Sequence, residues 1–235
     1  MSISSLAEKR PFLYVGALAI ATAAVFLVVF AVLRSLFPAA DPATIDLANN
    51  AVSYSLLAVA TGVLLTRTCG WRSAGFRAPY RWHHLLLFWL PGLPLLLTLL
   101  AYAAGLTPPA TAPWRIAALA AVALLVGFVE EGIFRGLMVR ALYPRGIWTA
   151  VWVSSVLFGL VHGVNIPLGY NAQAVALQIV YAAAIYGFAS AACVIYSGSI
   201  WPILIIHALT DFAGWLPGGQ TLATAAPTMG DVIFT

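Results

Sequence analysis

Charged residues are scarce in this chain of 235 residues, where Asp, Glu, Lys and Arg together make up 8%. Soluble domains carry about 25% charged and about 45–50% apolar residues, whereas 63% of this chain is hydrophobic. The shortage of charge therefore argues against a soluble domain and indicates a polytopic membrane protein.

Cysteine is also scarce, and several other features are missing. Cys69 falls in a predicted cytoplasmic loop and Cys193 in a predicted span, so we expect no disulfide. No span-length repeat, low-complexity tract or separate soluble domain is visible. The zinc-protease signature HExxH is absent as well.

Long apolar runs dominate what is present. Runs of about 20 residues, enough to cross a bilayer, predict an all-α, polytopic transmembrane helical bundle of about seven spans. Residues 1–110 would form spans 1–3, residues 111–218 spans 4–7, and residues 219–235 a C-terminal tail. Two prolines, Pro91 and Pro94, should kink the third span. The predicted spans are roughly 11–37, 47–66, 82–104, 115–142, 147–164, 172–196 and 199–216.

The basic residues lie mainly in alternate gaps between these spans. This positive-inside pattern predicts an integral membrane protein with a cytoplasmic N-terminus. The Ala- and Arg-rich composition favours a bacterial inner (plasma) membrane. The formal charge of +4 thus reflects topology, and we expect no nucleic-acid partner. The residues concerned are Lys9, Arg10, Arg67, Arg72, Arg77, Arg81, Arg140 and Arg145.

A few ionisable residues nevertheless fall inside predicted spans, where each costs about 2.5–3.5 kcal/mol on insertion scales and is a functional candidate. In the fourth span, Glu131 and Arg135 are four residues apart and can form an ion pair. Glu130 is rotated by about 100° and is free for another partner. Alternatively, all three form a buried pairing network. The full set is Glu130, Glu131, Arg135, His162, His207 and Asp211.

Four of these residues should lie at one depth in the membrane. Glu130 and His162 are about 14 and 17 residues from the turn near 144–145, which places them within about 5 Å of the same level at the helical rise. His207 and Asp211 share one helix face and lie at about the same depth, counted from a turn on the same side.

Such a set suits peptide-bond hydrolysis. A glutamate beside a histidine can deprotonate water, and a second histidine can hydrogen-bond the developing oxyanion. The same four side chains could instead bind a divalent metal such as zinc. We favour no metal, because HExxH is missing.

Two other functions compete with hydrolysis. Buried Glu, His and Asp also mark ion paths in proton-coupled transporters, although no inverted or parallel repeat is visible here. A catalytically silent membrane immunity or scaffold protein is the other alternative, and loss of the candidate glutamate or histidines would favour it. All of them are intact.

Three short motifs carry a resemblance to a known family. "EEGIFR" (130–135) fits EExxxR, "FGLVH" (158–162) fits FxxxH, and "HALTD" (207–211) fits HxxxN/D, preceded by Ser-Gly-Ser-hydrophobic-Trp-Pro. Together they resemble the CPBP family of intramembrane proteases, which contains type II CAAX prenyl endopeptidases and bacteriocin-processing or immunity (Abi) proteins. The motifs cover roughly residues 115–216.

The resemblance implies a glutamate-dependent intramembrane peptidase with residues 111–218 as its catalytic core. It would act among membrane lipid on a membrane-associated or lipidated peptide, such as a prenylated CAAX substrate, a bacteriocin leader or a signal fragment. The implied roles are water activation by Glu130 and His162, an oxyanion side formed by His207 and Asp211, and support from Glu131, Arg135 and Phe158.

Asp211 departs from the prenyl peptidases, which typically have asparagine at this position. An ionised carboxylate cannot donate a hydrogen bond to an oxyanion. Asp211 is therefore protonated, or it orients His207, or it helps to hold a metal.

Overall fold

The computed structural model describes residues 3–105 and 112–216. Within these ranges all regular structure is helical, which confirms the predicted all-α class. The predicted tail, residues 219–235, lies outside the described residues. The α-helices are α1 Ile3–Lys9, α2 Pro11–Leu36, α3 Pro42–Arg67, α4 Leu93–Ala103, α5 Pro113–Glu130, α6 Val139–Leu142, α7 Ile147–Val161, α8 Ala172–Tyr181, α9 Phe188–Ser197 and α10 Trp201–Trp215.

Among the described residues, five helical stretches are long and apolar enough to cross a membrane, which is the architecture of an integral membrane protein. A sixth span arises if the 3₁₀ segment Trp82–Trp89 and α4 count together; they meet at a bend of 64°, at the predicted proline kink. The last predicted span forms the 15-residue helix α10. The five stretches are Pro11–Leu36, Pro42–Arg67, Pro113–Arg145, Ile147–Asn165 and Ala172–Ser197.

Two glycines allow the motif-bearing helices to pack closely. A Cβ on Gly127 of α5 would lie 2.7 Å from the carbonyl oxygen of Leu204 in α10. A Cβ on Gly159 of α7 would lie 2.6 Å from the carbonyl oxygen of Ile179 in α8. Small residues at such positions let helix backbones approach each other within a membrane. The first contact brings the helices of the first and third motifs together, and the second packs the helix of the second motif against α8.

The first motif does not lie on a regular α-helix. After α5 ends at Glu130, the chain continues as a π-helical stretch, Glu131–Met138, in which all eight residues are buried. A second π-helical stretch, Ala182–Gly187, joins α8 to α9. Single π-helical turns within α-helices are frequent at functional sites, and this one carries most of "EEGIFR".

Candidate active site

His207 contacts three carboxylates. Its Nδ1 lies 2.8 Å from Oε1 of Glu131, and because a carboxylate accepts, this nitrogen donates. Its Nε2 lies 3.6 Å from Oε2 of Glu130 and 3.6 Å from Oδ2 of Asp211. His207 of the third motif thus joins the two glutamates of the first motif to Asp211.

Glu131 is the buried anchor of this cluster. Its Oε1 also lies 3.2 Å from Nη1 of Arg135, which is the pairing that the spacing predicts. The Arg135 guanidinium lies 4.1 Å from the centre of the Phe158 ring. Glu131 is fully buried and Arg135 is 2% exposed, so their opposite charges neutralise each other away from solvent. Through its hydrogen bond to Nδ1, Glu131 also holds the His207 ring in place.

His162 begins a 3₁₀ turn, His162–Asn165, at the end of α7. Its Nδ1 lies 2.8 Å from the carbonyl oxygen of Phe158. A carbonyl only accepts, so Nδ1 carries the hydrogen and Nε2 of the neutral ring is an acceptor. The Phe158 ring packs edge-on against both His162 and His207. Phe158 therefore fixes the tautomer of one imidazole and packs against both.

Glu130 has a partner that the motifs do not include. The Tyr54 hydroxyl of α3 donates to Oε1 of Glu130 at 2.5 Å. Tyr54 lies outside the segment with the family resemblance. The sequence signal for a role of this region is that "NNAVSYS" (49–55) is a polar run inside a predicted span. The N-terminal spans therefore contribute directly to the site.

The structure has a cavity of about 120 Å³ at this position, which has room for several waters. Glu130, His162, His207 and Asp211 all line it, whereas Glu131 and Arg135 lie behind it. Of the two imidazoles, it is that of His207 that lies within 4.0 Å of the Glu130 carboxylate. The predicted water between Glu130 and His162 therefore stays a prediction. Polar lining residues that sequence reasoning missed include Asp46, Asn49, Tyr54, Asn165, Tyr170 and Gln178.

The rim of the cavity is tied across two segments. Tyr170, in the loop before α8, donates its hydroxyl to Asp46 of α3. Burial raises the pKa of the Tyr170 phenol, and the Asp46 carboxylate beside it adds to that rise. The phenol therefore remains a donor over the physiological range, and the loop stays fastened to α3.

Metal ligation was a second possibility for this cluster. Over residues 3–105 and 112–216, no group of three or more His, Cys, Asp or Glu side chains is arranged to hold a metal ion. The side-chain types around the cavity, carboxylate and imidazole, are still those that zinc takes.

Part of the chain matches a known protein family. Residues 112–213 match the family model described as Type II CAAX prenyl endopeptidase Rce1-like. No curated protein and no solved structure matches the chain. The matched range contains the three motifs and every predicted site residue. The resemblance that the motifs predict is thus confirmed over residues 112–213: this segment of the integral membrane protein is similar to the Rce1-like type II CAAX prenyl endopeptidases.

Proposed function

We propose that this protein is an intramembrane endopeptidase that hydrolyses peptide bonds of membrane-associated or lipidated peptides. One observation carries the proposal: the Glu, His, His and Asp of the three motifs line a single cavity inside the matched segment. A glutamate base and imidazole donors are sufficient for hydrolysis without a serine or cysteine nucleophile.

The reaction begins with a water held between Glu130 and His162. Glu130 takes one proton as the water oxygen bonds to the peptide carbonyl carbon, and Nε2 of His162 accepts a hydrogen bond from the other water hydrogen, which stays on the oxygen. The Tyr54 hydroxyl on Oε1 of Glu130 leaves Oε2 as the basic oxygen. When the carbon–nitrogen bond breaks, the proton passes from Glu130 to the leaving amine, so Glu130 is regenerated.

His207 stabilises the oxyanion of the tetrahedral intermediate. Its Nδ1 donates to Glu131, so His207 acts as a donor in its doubly protonated form, whose second hydrogen, on Nε2, points toward Glu130 and Asp211, where the carbonyl oxygen would sit. Preorganised donors of this kind often give the largest single contribution to catalysis. Asp211 orients His207, or donates when it is protonated.

The reaction is proposed without a cofactor. If a divalent metal such as zinc takes part, Glu130, His162, His207 and Asp211 are its ligands, and the metal supplies Lewis-acid activation of water. Glu131 would then orient His207 through Nδ1, as carboxylates commonly do behind a metal-bound histidine.

We further propose a bacterial plasma membrane location with a cytoplasmic N-terminus. The arginines in alternate loops support this orientation. The substrate cleavage site then enters the cavity from within the bilayer or from its surface.

A cleavage assay tests the proposal. The purified chain in detergent is incubated with membrane peptides that include matched prenylated and unprenylated CAAX sequences, and Glu130→Ala is run in parallel. We expect cleavage by the wild type and none by the variant. Binding of a peptide without cleavage would instead favour a silent immunity or scaffold protein.

A further inference from the structure

A pair of amide side chains lies in the cavity next to His162. Nδ2 of Asn165 donates to Oε1 of Gln178 at 3.1 Å, and both residues line the cavity. Asn165 ends the 3₁₀ turn that His162 begins. Side chains three residues apart on a 3₁₀ helix are eclipsed, so His162 and Asn165 lie on the same side of this turn.

Gln178 has hydrogen-bonding capacity that the protein does not use. Its side chain in α8 is buried, with 4% of the residue exposed. Oε1 accepts from Asn165, whereas Nε2 is buried and has no hydrogen-bond partner among the described residues. Buried polar groups are nearly always paired, so a buried N–H donor without a partner, on a residue that lines the cavity, points to an acceptor that a ligand brings.

The charges around the cavity restrict that ligand. Asp46, Glu130 and Asp211 line it, and no lysine or arginine of the described chain does. A free carboxylate or phosphate would meet this acidic lining without a lysine or arginine to balance it. The carbonyl of a peptide backbone is neutral, and it needs a donor wherever water is excluded.

We propose that Asn165 and Gln178 form a subsite for the substrate backbone, in which Nε2 of Gln178 donates to a peptide carbonyl next to the bond that is cut. This inference rests on the proposed peptidase function. The pair holds the substrate through its main chain beside His162, so recognition at this subsite is independent of the substrate side chain. Gln178 is thus a positioning residue of the cleavage reaction.

The test compares Gln178→Met with Gln173→Met in the full-length enzyme. Methionine keeps the length of glutamine but has no N–H donor, and Gln173 is an exposed glutamine on the same helix. We expect Gln178→Met to raise KM about tenfold, as for one lost hydrogen bond, with kcat nearly unchanged, because a contact that ground state and transition state share has been removed. Gln173→Met should match the wild type.

A series of ester substrates separates binding from a structural effect. Each peptide carries one backbone ester, whose carbonyl is a weaker acceptor than that of an amide. One ester position should reduce kcat/KM for the wild type but have no further effect on Gln178→Met, because the two changes remove the same interaction. Gln178→Glu keeps the shape and the acceptor for Asn165 but removes the donor. It should raise KM in the same way, and it replaces the methionine variant if that variant does not fold.

The outcomes distinguish this inference from the proposed function. An unchanged KM for Gln178→Met, or equal ester effects in wild type and variant at every position, overturns the subsite while peptide cleavage stands. Absence of cleavage by the wild type on every peptide overturns the function and the subsite together.

Discussion

Glu131 accepts a hydrogen bond from Nδ1 of His207 at 2.8 Å, which joins the first motif to the third. The same oxygen, Oε1, lies 3.2 Å from Arg135. Glu131 therefore does more than pair within its own helix: it keeps a hydrogen on Nδ1 of His207 and fixes how the ring is turned, so that Nε2 faces the cavity. The two adjacent glutamates face different partners, and this difference can be tested.

Replacing each glutamate by glutamine should separate their roles. Glu130→Gln removes the proposed base, so turnover should fall at least about 100-fold, with a Tm close to that of the wild type. Glu131→Gln leaves Arg135 buried without its counter-charge, which costs about 3–5 kcal/mol for a buried pair. Its Tm should fall at least as markedly as its activity. Turnover and thermal unfolding are measured on both variants in detergent. Near wild-type turnover by Glu130→Gln would show that Glu130 is not the base.

Tyr54→Phe tests the partner that lies outside the matched segment. Loss of the hydroxyl releases Oε1 of Glu130, so the carboxylate is less well oriented, and kcat should fall about tenfold for one hydrogen bond to a charged group. Tyr196→Phe is the matched control, because Tyr196 is 60% exposed on α9. The steady-state rates of both variants are compared. Equal rates for Tyr54→Phe and the wild type would remove Tyr54 from the reaction.

Axial positions in this site follow from the sequence. The rise of a helix is fixed, so residue counts from a turn place Glu130, His162, His207 and Asp211 at one depth, and the structure has all four around one cavity. The four-residue spacing likewise predicts the contact between Glu131 and Arg135.

Rotation and lateral packing do not follow in the same way. Which side of α3 faces Glu130 depends on how the helices pack, so Tyr54 could not be assigned from spacing alone. The π-helical stretch Glu131–Met138 also changes the rotation of every later side chain, and no periodicity in so short a segment predicts it. Asn165 and Gln178 meet only because a 3₁₀ turn packs against α8.

Gly127→Ala should disturb the site from a distance. The added methyl would lie 2.7 Å from the Leu204 carbonyl oxygen, and a backbone atom cannot move aside as a flexible side chain can. We expect α10 to shift, with a loss of about 1–3 kcal/mol in stability, as for overpacking, and a lower kcat because His207 moves.

Gly16→Ala is the control for this change. Gly16 lies in α2, and a Cβ there meets nothing within 4 Å, so alanine should be neutral or stabilise the helix by up to about 1 kcal/mol. Thermal unfolding and turnover are measured for both variants. If Gly127→Ala is as stable and active as Gly16→Ala, the close approach of α5 and α10 does not position His207.

Asp211→Asn distinguishes the metal-free mechanism from the metal-dependent one. Oδ2 of Asp211 lies 3.6 Å from Nε2 of His207, so an amide at this position would add a permanent N–H donor beside the oxyanion. In the metal-free mechanism, Asp211→Asn keeps or raises turnover and chelators have little effect. If Asp211 must be protonated to donate, wild-type activity falls as pH rises through its titration. The amide does not titrate, so the variant stays active at higher pH.

The metal-dependent mechanism predicts the opposite result for the same variant. A neutral amide is a poorer zinc ligand than a carboxylate, so Asp211→Asn would bind the metal weakly and lose activity, and excess zinc would restore part of it. Strong chelation would abolish wild-type turnover. Turnover of both proteins is measured across pH with and without chelator, and metal content is measured on the purified proteins. We expect Asp211→Asn to be active and resistant to chelators, because Glu130 and His162 can activate water without a metal. An inactive variant together with a chelator-sensitive wild type would instead establish the four cavity-lining Glu, His and Asp side chains as metal ligands.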